Sequence, residues 1–251
     1  MSRTHETDQH ETDQQDRVRP EVGTGAVERE LEVGMTLDVA WAQRWARESA
    51  AAISQARDEL VELDRQIGDG DHGENLNRGF QAVVAKVDAT EVQPLLVSDV
   101  LKTVATTLMS SVGGASGPLY GTAFLRAAKV SGLPTLDAHA VVALLEGALE
   151  GITARGKAAP GEKTMVDAWG PAVDAAVAAA DAGSTPVEVL QAAAQAASVG
   201  ARETSALVAT KGRASYLGER SIGHADPGAA SSALILQAAV AAAQPTTAEQ
   251  A

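Results

Sequence analysis

The chain contains no cysteine, and only 3% of its 251 residues are aromatic. The first absence excludes a disulfide framework and any thiolate chemistry. The second argues against sheet, because strands favour aromatic and β-branched side chains, whereas the abundant alanine is the best helix former. Positive charge is also scarce: 20 Lys and Arg stand against 33 Asp and Glu, a net charge of −13. A chain with no basic face is a poor partner for nucleic acid or an anionic membrane. No apolar run reaches the ~18 residues of a membrane span, and the first residues are polar, unlike a signal peptide. The expectation is a soluble, cytoplasmic protein.

Residues 1–34 carry the tandem repeat HETDQ-HETDQ and no apolar periodicity, so they read as a disordered tail, with His5 and His10 solvated. Residues 246–251 read as a short C-terminal tail, leaving 35–245 as one domain. Within it the pattern is helical. Leu37, Ala40, Trp41 and Trp45 open a first helix behind Thr36, and its spacing continues through Ile53, Leu60 and Leu63 to IGDGDHG. Further helices are expected from His72 to about Val87, from Ser98 to about Ser111 and from Leu119 to Val130. Asp137 caps a fifth that ends near Gly156. Thr164 with Asp167, and Thr185 with Glu188 behind Pro186, have the spacing of capping boxes that open a sixth and a seventh. An eighth runs from Ala229 to Ala243, and no stretch alternates like a strand. The fold class expected is all-α, with about eight helices.

The unusual residues lie in the loops. ELDRQIGDGDHG places Asp64, Asp69 and Asp71 together, although two carboxylates about 4 Å apart repel by roughly 4 kcal/mol near a protein surface. Gly68 as a helix stop, with Asp71 and Glu74 as a capping box, accounts for part of the pattern. It leaves Asp64 in the last turn of a helix, where the macrodipole disfavours negative charge. A hard cation held by all three carboxylates accounts for both features. An EF-hand is excluded, since counting from Asp69 puts Gly73 at the fifth position and Phe80 at the twelfth. SSVGGASGPLYGT sets Gly113, Gly114, Ser116 and Gly117 before a helix, as an anion site or as an ordinary turn. GITARGKA nearly matches a phosphate-binding P-loop, but Ala158 stands where Ser or Thr must hold metal and the segment follows a helix. Lys211, Arg213, Arg220 and His224 share one long polar loop, with Glu219 and Asp226 as its nearby anions. That loop is expected to be mobile without a ligand and ordered with one.

Taken together, IGDGDHGENLNRGF, SSVGGASGPLYGT, ITARGKAAPGEKTM and ATKGRASYLGERSIGHADPG resemble, in order and spacing, the motifs of one family. It is the nucleotide-binding L subunit of bacterial dihydroxyacetone kinase, of the type driven by the phosphotransferase system. The resemblance spans about residues 36–243. It implies a single-domain barrel of about eight antiparallel helices, with ADP or ATP and two Mg²⁺ ions held by loops at one end. By the same resemblance Asp64, Asp69 and Asp71 bind the metal, while His72, Gly73, Glu74, Asn75, Gly114, Ala115 and Ser116 lie against the nucleotide. Gly156, Thr164 and Met165 line its pocket, Arg213 is the catalytic residue beside the phosphates, and Asp226, Pro227 and Gly228 close the site. The partners implied are a phosphohistidine M subunit, which rephosphorylates bound ADP, and a K subunit, which holds dihydroxyacetone. Two alternatives fit the same residues: a domain that exchanges ATP and serves another small sugar, and a nucleotide-dependent partner of a transcriptional regulator.

Overall fold

Alanine both forms these helices and sets how closely they approach. A computed structural model describes residues 37–89 and 93–244. Among them are nine α-helices: α1 (Val39–Gln55), α2 (Arg57–Ile67), α3 (His72–Asp88), α4 (Val97–Ser111), α5 (Ser116–Val130), α6 (Ala138–Gly156), α7 (Val166–Asp181), α8 (Pro186–Glu203) and α9 (Pro227–Ala242). Two 3₁₀ segments, Thr204–Ala206 and Arg213–Ser221, lie between α8 and α9. The helix ends follow local chemistry. Asp38, Asp137, Thr185 and Asp226 each accept a first-turn backbone N–H, and Thr185 with Glu188 completes the expected capping box.

Four expectations change, the first at α7, whose N-cap is Met165 with no side-chain cap bond, so Thr164 and Asp167 do not form the expected capping box. The single first helix is broken at Ala56 (φ −89°, ψ 6°), and its cap is Asp38; Thr36 lies outside the described residues, as does the N-terminal tail. One short strand pair exists, β1 (Leu37–Asp38) against β2 (Thr135–Leu136), antiparallel with Leu37 opposite Leu136. The polar stretch after Lys211 is folded into 3₁₀ turns, kinked at Gly218.

Neighbouring helices close a ring: α1 packs on α3, then α4, α5, α6, α7, α8 and α9 follow in turn, and α9 returns to α1. The break at Ala56 lets α2 leave that ring and lie against α3, α9 and the second 3₁₀ segment. Alanine and valine fill most of the interior, with Trp41 and Trp45 stacked at 5.2 Å. Both indole N–H groups donate across the seam to α9, Trp41 to the Ala239 carbonyl (3.0 Å) and Trp45 to that of Ile235 (2.8 Å). The ring is thus closed by packing plus two buried hydrogen bonds. No helix among the described residues is long and apolar enough to cross a membrane.

The α7–α8 contact shows why small residues are required. Pro171 inside α7 has no N–H to offer the Asp167 carbonyl one turn earlier, and Gly200 of α8 packs directly on that freed oxygen. A Cβ at Gly200 would stand 2.1 Å from it. Gly200→Ala is therefore expected to lower the unfolding free energy by about 1–3 kcal/mol, the usual cost of overpacking. Urea denaturation checks this, and an unchanged midpoint would contradict the contact.

Candidate anion and metal site

Four of the ring helices begin at the same end. His72 opens α3, Ser116 opens α5, Met165 and Val166 open α7, and Pro227 and Gly228 open α9. All six residues line one cavity of about 390 Å³. Each N-terminus acts as roughly +0.5 of a charge; carboxylates from Asp64 and Asp226 already meet the starts of α3 and α9, which leaves the start of α5 the freest to receive an anion in a chain that is acidic overall. The start of α5 is the most open, because no side chain caps it and Gly114 reaches φ +66° to turn the backbone into the helix. Apolar walls from Ile67, Leu119, Ile152 and Met165 add a surface for a flat ring.

At one edge of the cavity the three aspartates meet. The C-terminus of α2 supplies Asp64, and the turn to α3 supplies Asp69 and Asp71; their ligand oxygens all lie within 4.8 Å of one another. The side chain of Asp71 makes no capping bond to α3. Instead Asp64 Oδ2 accepts from the backbone N–H groups of Asp71 (2.9 Å) and His72 (3.2 Å). That bond answers the dipole objection, since Asp64 caps the next helix rather than its own. Burial raises the Asp64 pKa, and Asp69 and Asp71 raise it further, while the two N–H donors oppose the rise. Three adjacent carboxylates with free oxygens form an all-oxygen donor set suited to Mg²⁺ or Ca²⁺.

Arg213, from the second 3₁₀ segment, reaches across to Asp69 Oδ2 at 3.0 Å. Lys211 lies 3.6 Å from Glu162, and His224 Nδ1 is 2.9 Å from Gln66 Oε1. Lys211 and Arg213 thus pair with carboxylates on other elements, not with Glu219 and Asp226 as the composition of the stretch suggested.

His72 is buried between two hydroxyls, with Nδ1 3.0 Å from Ser116 Oγ and Nε2 2.9 Å from Ser231 Oγ. Desolvation lowers its pKa to about 4, so the ring is neutral at physiological pH. Asp226 caps α9 through the Ala229 N–H (2.7 Å), yet burial lifts its pKa to about 7, with Asp167 and Asp64 adding to the rise and Lys163 opposing it.

Of the expected nucleotide contacts, His72, Gly114, Ala115, Ser116, Gly156, Thr164, Met165, Arg213, Asp226, Pro227 and Gly228 all line the cavity. Gly73, Glu74 and Asn75 are not among its lining residues. Gly73 lets α3 press on α2, since a Cβ there would sit 2.2 Å from the Arg57 carbonyl. The Glu74 carboxylate faces Arg57 at 3.7 Å, and Asn75 holds Arg78 (2.7 Å) beneath the Gly113 turn. Lys163 is the residue that sequence reading passed over. It sits on the cavity wall at φ +62°, buried, and its ammonium donates to the carbonyls of Thr204 (2.7 Å) and Leu207 (3.2 Å). A buried lysine at positive φ leaves no mark on hydrophobic periodicity.

Comparison with known proteins gives this geometry its relatives. Residues 66–241 match the model of the DAK2 domain family. The ADP-binding subunit DhaL of PEP-dependent dihydroxyacetone kinase 1 from Listeria innocua is 48% identical over 204 residues, covering 81% of this chain and 96% of that one. The corresponding subunit from Escherichia coli K12 is 43% identical, covering 77% and 91%. The dihydroxyacetone kinase of C. freundii has the same fold at 24% identity, with TM-scores of 0.61 for the native form and 0.59 for its complex with AMP-PNP and Mg²⁺. This chain spans 38% of that longer kinase, and 96% of its own length is covered.

Buried His72 and part-buried Asp226, which lines the cavity, predict opposite pH responses. Asp226, raised from 3.8 to about 7, binds a proton more tightly when folded, so its contribution falls as pH rises from 4 to 7. His72, lowered from 6.5 to about 4, binds its proton less tightly when folded, so its contribution rises from pH 4 to 6.5. In the ligand-free protein the two largely cancel. Asp226→Asn removes the falling component, so the variant's stability relative to wild type should climb with pH across that window. Denaturant titrations at several pH values check this, and a pH-independent difference would contradict it.

Proposed function

The chain belongs to the DAK2 domain family, and from that footing we propose that it is the nucleotide-binding, phosphoryl-transferring subunit of a dihydroxyacetone kinase driven by the phosphotransferase system. One observation carries the reading: three aspartates with oxygens within 4.8 Å stand at the rim of a cavity into which four helix N-termini open. The descriptions of the Listeria and E. coli relatives as ADP-binding subunits of PEP-dependent dihydroxyacetone kinases support it.

In this reading Asp64, Asp69 and Asp71 hold Mg²⁺, two ions by the family resemblance, and the metal supplies the positive charge that offsets the phosphates. The N–H groups at the starts of α5, α7 and α9 receive phosphate oxygens, and the apolar wall of Leu119, Ile152 and Met165 takes the base. Arg213 adds charge-assisted hydrogen bonds to the phosphoryl group in transit. The chain takes that group from a phosphohistidine of an M subunit onto the ADP it holds, then passes it to dihydroxyacetone on a K subunit. It needs no general base of its own, because positioning and charge neutralisation do most of the work in phosphoryl transfer.

Asp69→Asn should abolish MgADP binding while leaving the far-UV circular dichroism unchanged, since Asp69 is half-exposed and its bond is to Arg213. Calorimetry showing wild-type affinity in that variant would overturn the assignment.

Arg213→Ala should split two properties that usually move together. Loss of an exposed ion pair with Asp69 is worth at most about 1 kcal/mol, so the variant should bind Mg²⁺ alone up to about five-fold more tightly. Its phosphoryl-transfer rate, assayed with the partner subunits, should fall roughly 10²-fold, as for removal of a donor to developing charge. A rate equal to wild type would remove Arg213 from the chemistry.

A further inference from the structure

A chain of hydroxyl groups runs from the cavity wall into the core, and binding metal or phosphate does not by itself require it. Ser116 Oγ meets His72 Nδ1 (3.0 Å), and His72 Nε2 meets Ser231 Oγ (2.9 Å). Ser231 Oγ lies 2.6 Å from the Tyr120 hydroxyl, which is also 3.0 Å from Ser232 Oγ and 3.3 Å from the Gly228 carbonyl. The Ser232 and Ser231 hydroxyls reach the same carbonyl at 2.7 and 3.1 Å. Tyr120, Ser231 and Ser232 have no solvent exposure, so every hydrogen in the chain must find an acceptor within it.

That requirement gives the chain a direction. The Gly228 carbonyl stands in the first turn of α9, where the helix pattern gives it the Ser232 N–H, and the Ser232 hydroxyl takes its second lone pair. The Tyr120 hydrogen then goes to Ser231 Oγ, the shortest contact of the set. The Ser231 hydroxyl then has two acceptors in reach, the already doubly bonded Gly228 carbonyl at 3.1 Å and His72 Nε2 at 2.9 Å, and the nearer, unshared nitrogen takes its hydrogen. A neutral imidazole carries one N–H, which must then be on Nδ1 and donate to Ser116 Oγ. The hydrogen of Ser116 is thereby free for the cavity. The reverse direction would turn oxygen lone pairs toward an anion. The Pro227 carbonyl also faces the ring and is the competing acceptor for a ring proton.

We propose that Tyr120 and Ser231 are positioning residues: they fix His72 as its Nδ1–H tautomer and so make Ser116 a hydrogen-bond donor to a phosphate-bearing ligand. The identity of that ligand rests on the nucleotide reading; the tautomer does not.

The test uses the full chain with ¹⁵N-labelled histidine, its His72 signals assigned with a His72→Gln variant. Long-range ¹H–¹⁵N correlation without nucleotide should show Nδ1–H in the wild type and a shift toward Nε2–H in Ser231→Ala and Tyr120→Phe. MgADP affinity, by calorimetry, should fall roughly ten-fold in each variant, the effect of losing one hydrogen bond to a charged group. Tyr120→Phe keeps the packed ring, so it stands in should Ser231→Ala disturb the fold. A wild-type Nε2–H tautomer would overturn the proposal, as would variants that keep both the wild-type tautomer and the wild-type affinity. If the wild type binds no MgADP, the nucleotide reading fails, and the tautomer comparison still decides the positioning role.

Discussion

The repulsion among Asp64, Asp69 and Asp71 is the constraint around which one end of this molecule is organised. Their oxygens lie within 4.8 Å of one another, and the protein answers only part of that charge. Two backbone N–H groups at the start of α3 bind Asp64, and one guanidinium, from Arg213, leans on Asp69. Asp71 has no capping bond to absorb it. The arrangement leaves negative charge directed at a cavity into which four helix N-termini open. A dication beside a polyphosphate satisfies both sets of charges at once, which neither a cation nor an anion alone does.

The convergence of helix starts follows from how the ring is wound. Alternate ring helices run in opposite senses, so α3, α5, α7 and α9 all begin where α2 and α6 end, and the long connection from α8 to α9 keeps that alternation because the Asp226 N–H bonds back to Thr204 Oγ1. Small side chains are what allow that ring to close around so little aromatic material. At Gly200 the backbones of α7 and α8 come into near contact over the carbonyl freed by Pro171, and at the α1–α9 seam the two indoles donate to backbone carbonyls of α9.

Much of this was legible in the sequence, and the reasons are specific. Caps are local, so Asp137, Thr185 with Glu188, and the ends of α3 and α4 could be read within a residue or two. The three aspartates could be read because no local role accounts for all of them. The break at Ala56 could not, because alanine carries no helix-stop signal, and what α2 gains by leaving the ring is contact with α3 and α9. Nor could the partners of Lys211 and Arg213, which lie on distant segments at Glu162 and Asp69. The hydroxyl chain through His72 was invisible for a related reason: Tyr120 and Ser231 are 111 residues apart and look like ordinary core and helix residues.

Crystals grown with ADP and Mn²⁺ in place of Mg²⁺ test the central claim most directly, by anomalous scattering at the manganese edge. The account predicts the strongest anomalous peak among the carboxylates of Asp64, Asp69 and Asp71, at the rim of the cavity that holds the nucleotide. A peak elsewhere, or nucleotide bound in the cavity with no metal between those three side chains, would contradict it.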